Sequence, residues 1–196
     1  GEKMGNSTLY RKVYGCLAGG AIGDAMGRPF EGKHYKEIEE EYGKVTHFIE
    51  GVHTRDVTDD TRMEHLLVKA IITKKGRVTA KDLAEVWFKL PINPEDFWWD
   101  TRASFMKIRS GKLPRLAGAD NVISGSGLMF MSPVGMINIG NPFQAALDAQ
   151  DIACIQQPTL GVDTASTIAA AVAEAMTADA SAESIIRCAI DVSSDM

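Results

Sequence analysis

Gly15, Gly19, Gly23 and Gly27 recur every four residues inside an apolar stretch, which draws a bare stripe along one helix face. Each glycine costs about 1 kcal/mol relative to alanine within a helix, so the fold must offset roughly 3–4 kcal/mol. Close packing of a central helix against a neighbour is the simpler account, and direct contact with a ligand is the other. Asp24 falls near the C-terminal end of the same helix, where the dipole disfavours a negative charge. It therefore needs a partner, such as a backbone amide, an arginine or a metal-bound water. The apolar stretch, Val13 to Gly27, is too short to span a membrane and contains that aspartate.

The rest of the chain reads as helices too. Residues 8–26 form the first, with Thr8 as cap, and 61–74 form another. Thr79 caps a helix through Leu83, Val86, Trp87 and Leu90 that stops at Pro91. Asn93-Pro94 and Asn141-Pro142 are each a cap followed by proline at the first helical position. The first of these predicts a helix to Ser110-Gly111, the second a helix over Phe143–Ile155. Residues 164–177 are alanine-rich and helical, and Ser181 starts a last helix around Ile185, Ile186 and Ala189. Only 45–49 has strand character. No repeat or long linker divides the chain, so the expectation is an all-α fold and a single domain over 1–196.

Composition excludes several classes. A net charge of -5, a pI near 5.4 and no dense Lys/Arg cluster argue against a nucleic-acid face; Lys74-Lys75 reads as a polar helix end. Cys16, Cys154 and Cys188 are odd in number and lack metal spacing, which suits a reduced, cytoplasmic protein. Gly1-Glu2-Lys3 ahead of Met4 reads as an added leader, and no signal peptide or membrane span is expected.

The chemistry-bearing feature is Thr58-Asp59-Asp60-Thr61, with Asp56 close by. Adjacent carboxylates flanked by hydroxyls are unfavourable alone but form the all-oxygen set that hard cations prefer. The competing reading is structural. Thr58 or Asp60 can cap the helix that follows, Thr61 and Glu64 have capping-box spacing, and acids suit a helix N-terminus. An EF-hand is excluded, since counting from Asp56 there is no glycine at position six, and Leu67 stands at position twelve. The 117–127 segment ends in Gly125-Ser126-Gly127 before an apolar run. Such a turn can present amides to phosphate, although most are ordinary loops. Glu31 alone reads as a surface acid, and Trp98-Trp99 as core in preference to an adenine platform.

Taken in order, Gly15–Gly27, Pro29-Phe30-Glu31-Gly32, Thr58–Met63, Gly125–Gly127 and Ser132-Pro133-Val134-Gly135 resemble the ADP-ribosylglycohydrolase family. The likeness spans about residues 10 to 190 and thins after 140. It implies a compact, orthogonal all-α domain with a pair of Mg²⁺ ions, or Mn²⁺, at the base of a cleft for ADP-ribose. Thr58, Asp59 and Asp60 would be metal ligands. Glu31 would be a ligand or the acid/base group, and Asp60 would share in catalysis. Gly125, Ser126 and Gly127 would lie against the diphosphate or the distal ribose. With the resemblance, metal binding outweighs simple capping at Thr58–Asp60.

The implied reaction is magnesium-dependent hydrolysis at the anomeric carbon of an ADP-ribosyl group, through an oxocarbenium-like transition state. The partner would be an ADP-ribosylated protein or a small ADP-ribose conjugate, with an arginine, serine, acetyl or nucleoside-like leaving group. The chain also departs from the family pattern. The second, Asp-x-Asp-Thr motif is missing, because Asp163-Thr164-Ala165-Ser166-Thr167 lacks the second aspartate and matches a ligand-free middle helix. Gln156-Gln157-Pro158 replaces a histidine, and Ser126 stands where many relatives carry asparagine. Two rivals follow: a non-catalytic ADP-ribose-binding or scaffold protein, and a fragment inactive without a C-terminal segment. The abrupt ending Asp191–Met196 points to truncation, which would favour self-association or complementation by that segment.

Overall fold

The computed structural model describes residues 7–54, 56–90 and 93–193. The expectations for the leader before Met4, for Pro91 and for the last three residues lie outside them. Among the described residues the fold is all helical, with nine α-helices. These are α1 (Thr8–Gly27), α2 (Tyr35–Tyr42), α3 (Asp59–Lys74), α4 (Ala80–Lys89), α5 (Trp99–Arg109), α6 (Ser132–Ile137), α7 (Pro142–Ala153), α8 (Thr159–Ala175) and α9 (Ala182–Val192).

Caps set most of the helix starts. Ser7, one residue before Thr8, accepts from the Tyr10 amide, and Thr79 and Asp82 form a full capping box. Ser181 and Ser184 do the same for α9. Residues 45–49 form no strand; an isolated five-residue segment has no partner edge to satisfy its amides. The helix expected from Asn93 to Ser110 is interrupted. Pro94–Asp96 make a 3-10 turn, and Phe97 and Trp98 are extended before α5 begins. The break turns Phe97 into the core while leaving Trp98 57% and Trp99 47% exposed, so this tryptophan pair is not core.

One apolar cluster runs through α3 to α8. Met63 and Leu67 from α3, Leu83 and Trp87 from α4 and Phe105 from α5 meet Phe130, Met131, Val134, Ile152 and Ile155. Ala165, Ala169 and Ala173 form the buried face of α8, and their small side chains let α7 and α6 approach closely. At the α6–α8 crossing, a Cβ on Gly135 would stand 2.6 Å from the Ala169 carbonyl oxygen and from Val172 Cβ.

The first helix departs from the expectation. Ala25 is its one buried residue among those described, and nothing lies within 4 Å of a Cβ built on Gly15, Gly19, Gly23 or Gly27. The stripe faces open space. Polar pins hold the helix in its place: Lys12 Nζ donates to the carbonyls of Ala175 and Thr177 at 2.8 and 2.5 Å.

Candidate functional site

The second pin of α1 is Asp24, which organises the acidic entry to α3. Its carboxylate accepts from the Thr58 amide at 3.0 and 3.1 Å, from the Thr61 amide at 3.2 Å and from the Thr61 hydroxyl at 2.5 Å. Backbone amides are thus among its partners, as its unfavourable position on α1 required. Burial alone would raise this carboxyl; the Thr61 and Thr58 hydrogen bonds outweigh it and hold Asp24 below the usual carboxylate range. One carboxylate thereby offsets the free amides that begin α3.

Thr58 is the N-cap of α3, its Oγ1 accepting from the Asp60 amide at 3.3 Å. The same hydroxyl donates to Asp60 Oδ2 at 3.0 Å. Asp59 Oδ2 accepts from the Trp98 amide at 2.9 Å. Among the described residues no ion pair closes on Asp59 or Asp60. The capping box expected between Thr61 and Glu64 does not form. Thr61 turns to Asp24, and the Ser132 hydroxyl donates to Glu64. Asp56 pairs instead with Arg28 at 3.1 Å.

Glu31 follows the 3-10 turn Arg28–Phe30 and is an exposed residue. His53 fixes the turn from below. It accepts from the Ile49 amide at 2.8 Å, lies 3.1 Å from the Met26 carbonyl, and packs edge-on against Phe30. Partial burial and the charges of Asp60, Asp59 and Asp24 push Glu31 up. Burial chiefly, then Asp24 and Asp59, raises Asp60 against the Thr58 bond that lowers it. Four carboxylates from α1, the 28–31 turn and α3 therefore share one electrostatic neighbourhood. Of the sequence-predicted residues, Thr58 and Asp60 are hydrogen-bonded to each other, while Glu31 is linked to Asp59 and Asp60 only through their charges.

The Gly125–Gly127 turn is tied to α5 through Asp100, whose carboxylate accepts from Ser126 Oγ at 2.5 Å. Gly125 is open to solvent, while Ser126 and Gly127 are buried. Asn121 ties the segment down, its Nδ2 donating to Gln156 O at 2.8 Å and to Ser104 Oγ at 2.9 Å. Residues that sequence reasoning passed over lie beneath the turn: Asp100, fully buried, and Gln157, 1% exposed. Gln157 occupies part of the segment where a histidine was expected. A Cβ on Gly127 or on Gly161 would come within 2.5 Å of its side chain.

The ADP-ribosylglycohydrolase family model matches residues 5–195, nearly the whole chain. The chain belongs to the ADP-ribosylglycohydrolase family. It is similar to the uncharacterized protein YegU of Escherichia coli (strain K12), with 24% identity over 162 residues, 76% of this chain and 48% of that protein. The chain thus spans about half the length of the curated relative it matches.

For this family member, the donor set can be tested against a hard cation. Carboxylates and a threonine hydroxyl are the right donor type, and their mutual repulsion is what a cation would relieve. They do not close a shell, since among the described residues no three His, Cys, Asp or Glu side chains converge on one metal position. The acids fit one side of such a site.

Proposed function

We propose that this chain forms the acidic, metal-facing part of a magnesium-dependent hydrolase that cleaves the bond at the anomeric carbon of an ADP-ribosyl group. Family membership supports the reaction class. The observation that carries the reading is the acidic entry to α3, where Asp24 holds the Thr58 and Thr61 amides, Thr58 is bonded to Asp60, and the charges of Asp59 and Asp60 reach Glu31. Repelling carboxylates held in one place need a counter-charge.

Thr58, Asp59, Asp60 and Glu31 are the residues that would hold Mg²⁺, or Mn²⁺, from this side. When bound, the metal supplies Lewis acidity and orients ribose hydroxyls. Glu31 activates water or protonates the leaving group, and its exposure, with the charges of Asp59 and Asp60 reaching it, supports that role. Asp24 holds the threonines and so the direction in which Asp59 and Asp60 leave the helix. The 125–127 turn receives the phosphate or ribose portion of an ADP-ribosylated protein or small conjugate. No helix among the described residues is long and apolar enough to cross a membrane, and the free Cys16, Cys154 and Cys188 suit a reducing cytoplasm.

Titrating the chain calorimetrically with ADP-ribose in Mg²⁺ and then in EDTA tests this reading. Metal-dependent binding is the expected result, lost in Asp60→Asn with the helical circular dichroism intact. The incomplete ligand set favours a second reading, a non-catalytic ADP-ribose binder, for which binding would persist in EDTA and turnover would be absent.

A further inference from the structure

The first turn of α5 touches both parts of the candidate site within three residues. The Trp98 amide donates to Asp59 Oδ2 at 2.9 Å. Two positions on, the Asp100 carboxylate accepts from Ser126 Oγ at 2.5 Å, Ser124 Oγ at 2.6 Å, the Thr101 amide at 2.6 Å and Gln157 Nε2 at 3.0 Å. Gln157 completes the clamp, its Oε1 accepting from the Ser124 amide at 2.9 Å.

Burying an acid fully costs several kcal/mol unless donors surround it, and no cationic side chain pairs with Asp100 among the described residues. Simple core filling would be served as well by an apolar residue. A carboxylate with five donors, the Thr101 hydroxyl at 3.4 Å being the fifth, instead specifies one arrangement of its neighbours. Three of those donors are Ser124, Ser126 and Gln157, the residues that shape and underlie the 125–127 turn. The Ser126 hydroxyl is spent on Asp100, which leaves backbone and the open Gly125 to meet a ligand.

We propose that Asp100 is a positioning residue that sets the separation between the acidic entry of α3 and the 125–127 turn, so that one ADP-ribosyl group reaches both. This rests on the reading of that turn as ligand-facing. Misplacement of such a turn by about 1 Å is enough to lower productive binding by tenfold or more.

The test is calorimetric titration of the full chain with ADP-ribose in Mg²⁺, well below the unfolding temperature, for wild type, Asp100→Asn and the double variant Asp100→Asn/Gln157→Glu. The double variant moves the carboxylate across the clamp, where the serine hydroxyls and the new amide can still donate to it. Asp100→Asn is expected to keep its helical signal, bind about tenfold more weakly or worse, and exchange the 124–128 amides faster. The double variant should regain most of the affinity. Wild-type affinity in Asp100→Asn would overturn the proposal, as would a double variant that regains melting temperature but not affinity. If Asp100→Asn does not fold, Ser124→Ala/Ser126→Ala replaces it with the same expectations. Failure of the wild type itself to bind would remove the functional reading, and the positioning role with it.

Discussion

Two sets of glycines behave in opposite ways. The four on α1 follow a regular spacing, yet each could carry a methyl group without touching anything. Gly118, Gly127, Gly135 and Gly161 have no regular spacing, and at each an added Cβ would stand 2.4 to 2.6 Å from a neighbouring heavy atom. Periodicity along one helix reveals a surface but not what covers it. Close packing is a property of two segments: for Gly118, Gly127 and Gly135 the second is the far-off stretch 154–172, and Gly161 meets Gln157 within that stretch. Without homologous sequences or coordinates, Gly118 looks like any loop glycine.

Substitutions can break that contrast. Gly118→Ala should have the largest effect, because its Cβ would meet the backbone of Gln156 and Gln157 at 2.4 Å, and backbone cannot rotate away. A loss of about 3 kcal/mol or failure to fold is expected in urea unfolding; a mild effect would mean that the 154–158 segment yields easily. Gly15→Ala/Gly19→Ala/Gly23→Ala should do the reverse and stabilise by about 2 kcal/mol through helix propensity. Destabilisation by this triple change would show that something covers the stripe in solution.

Asp24→Ala sharpens the comparison, since it removes the polar contact that joins the bare helix to α3. It should cost about 2 kcal/mol by leaving the Thr58 and Thr61 amides unpaired. The sign with pH follows from the lowered carboxyl. Wild-type stability from Asp24 is present above the ordinary carboxylate value near 3.8 and lost as pH falls through the lower folded value. Asp24→Ala should therefore flatten the acid limb of a stability–pH curve, and an unchanged limb would exclude the role.

Glu64 gives the smallest effect, of opposite sign. Burial lifts it from 4.5 to about 7, against the Ser132 hydrogen bond. The folded state then holds an extra proton between those values, so stability declines as pH rises from 4.5 towards 7. Glu64→Gln should remove that decline and gain about 1 kcal/mol at pH 8, discounted for partial exposure. A persistent slope in thermal melts would assign the proton elsewhere.

Helices were legible where a cap or an Asn-Pro start preceded an apolar period, as at Ser181, Thr79 and Asn141. α2 escaped notice because its cap is His34 and its residues Tyr35–Tyr42 are mostly charged, with none buried. Asn93-Pro94 announced a start correctly, but tertiary structure ended it after one turn, where Phe97 enters the core and the Trp98 amide finds Asp59. Within the site, Asp59-Asp60 stood out because like charges side by side demand a reason. Asp100 and Gln157 did not, being 57 positions apart and individually ordinary; only their complete burial marks them.

The pinning of α1 has a dynamic consequence. A helix fastened by Lys12 near one end and Asp24 near the other, with little apolar contact between, has few interactions that must break before it lifts as a unit. Its amides should exchange with solvent through a partial opening less costly than unfolding the α3–α8 core. Because Asp24 rides on that helix, each opening would also release the amides of Thr58 and Thr61. The lifetime of the acidic cluster would then be set by this loosely held helix, not by the core beneath it.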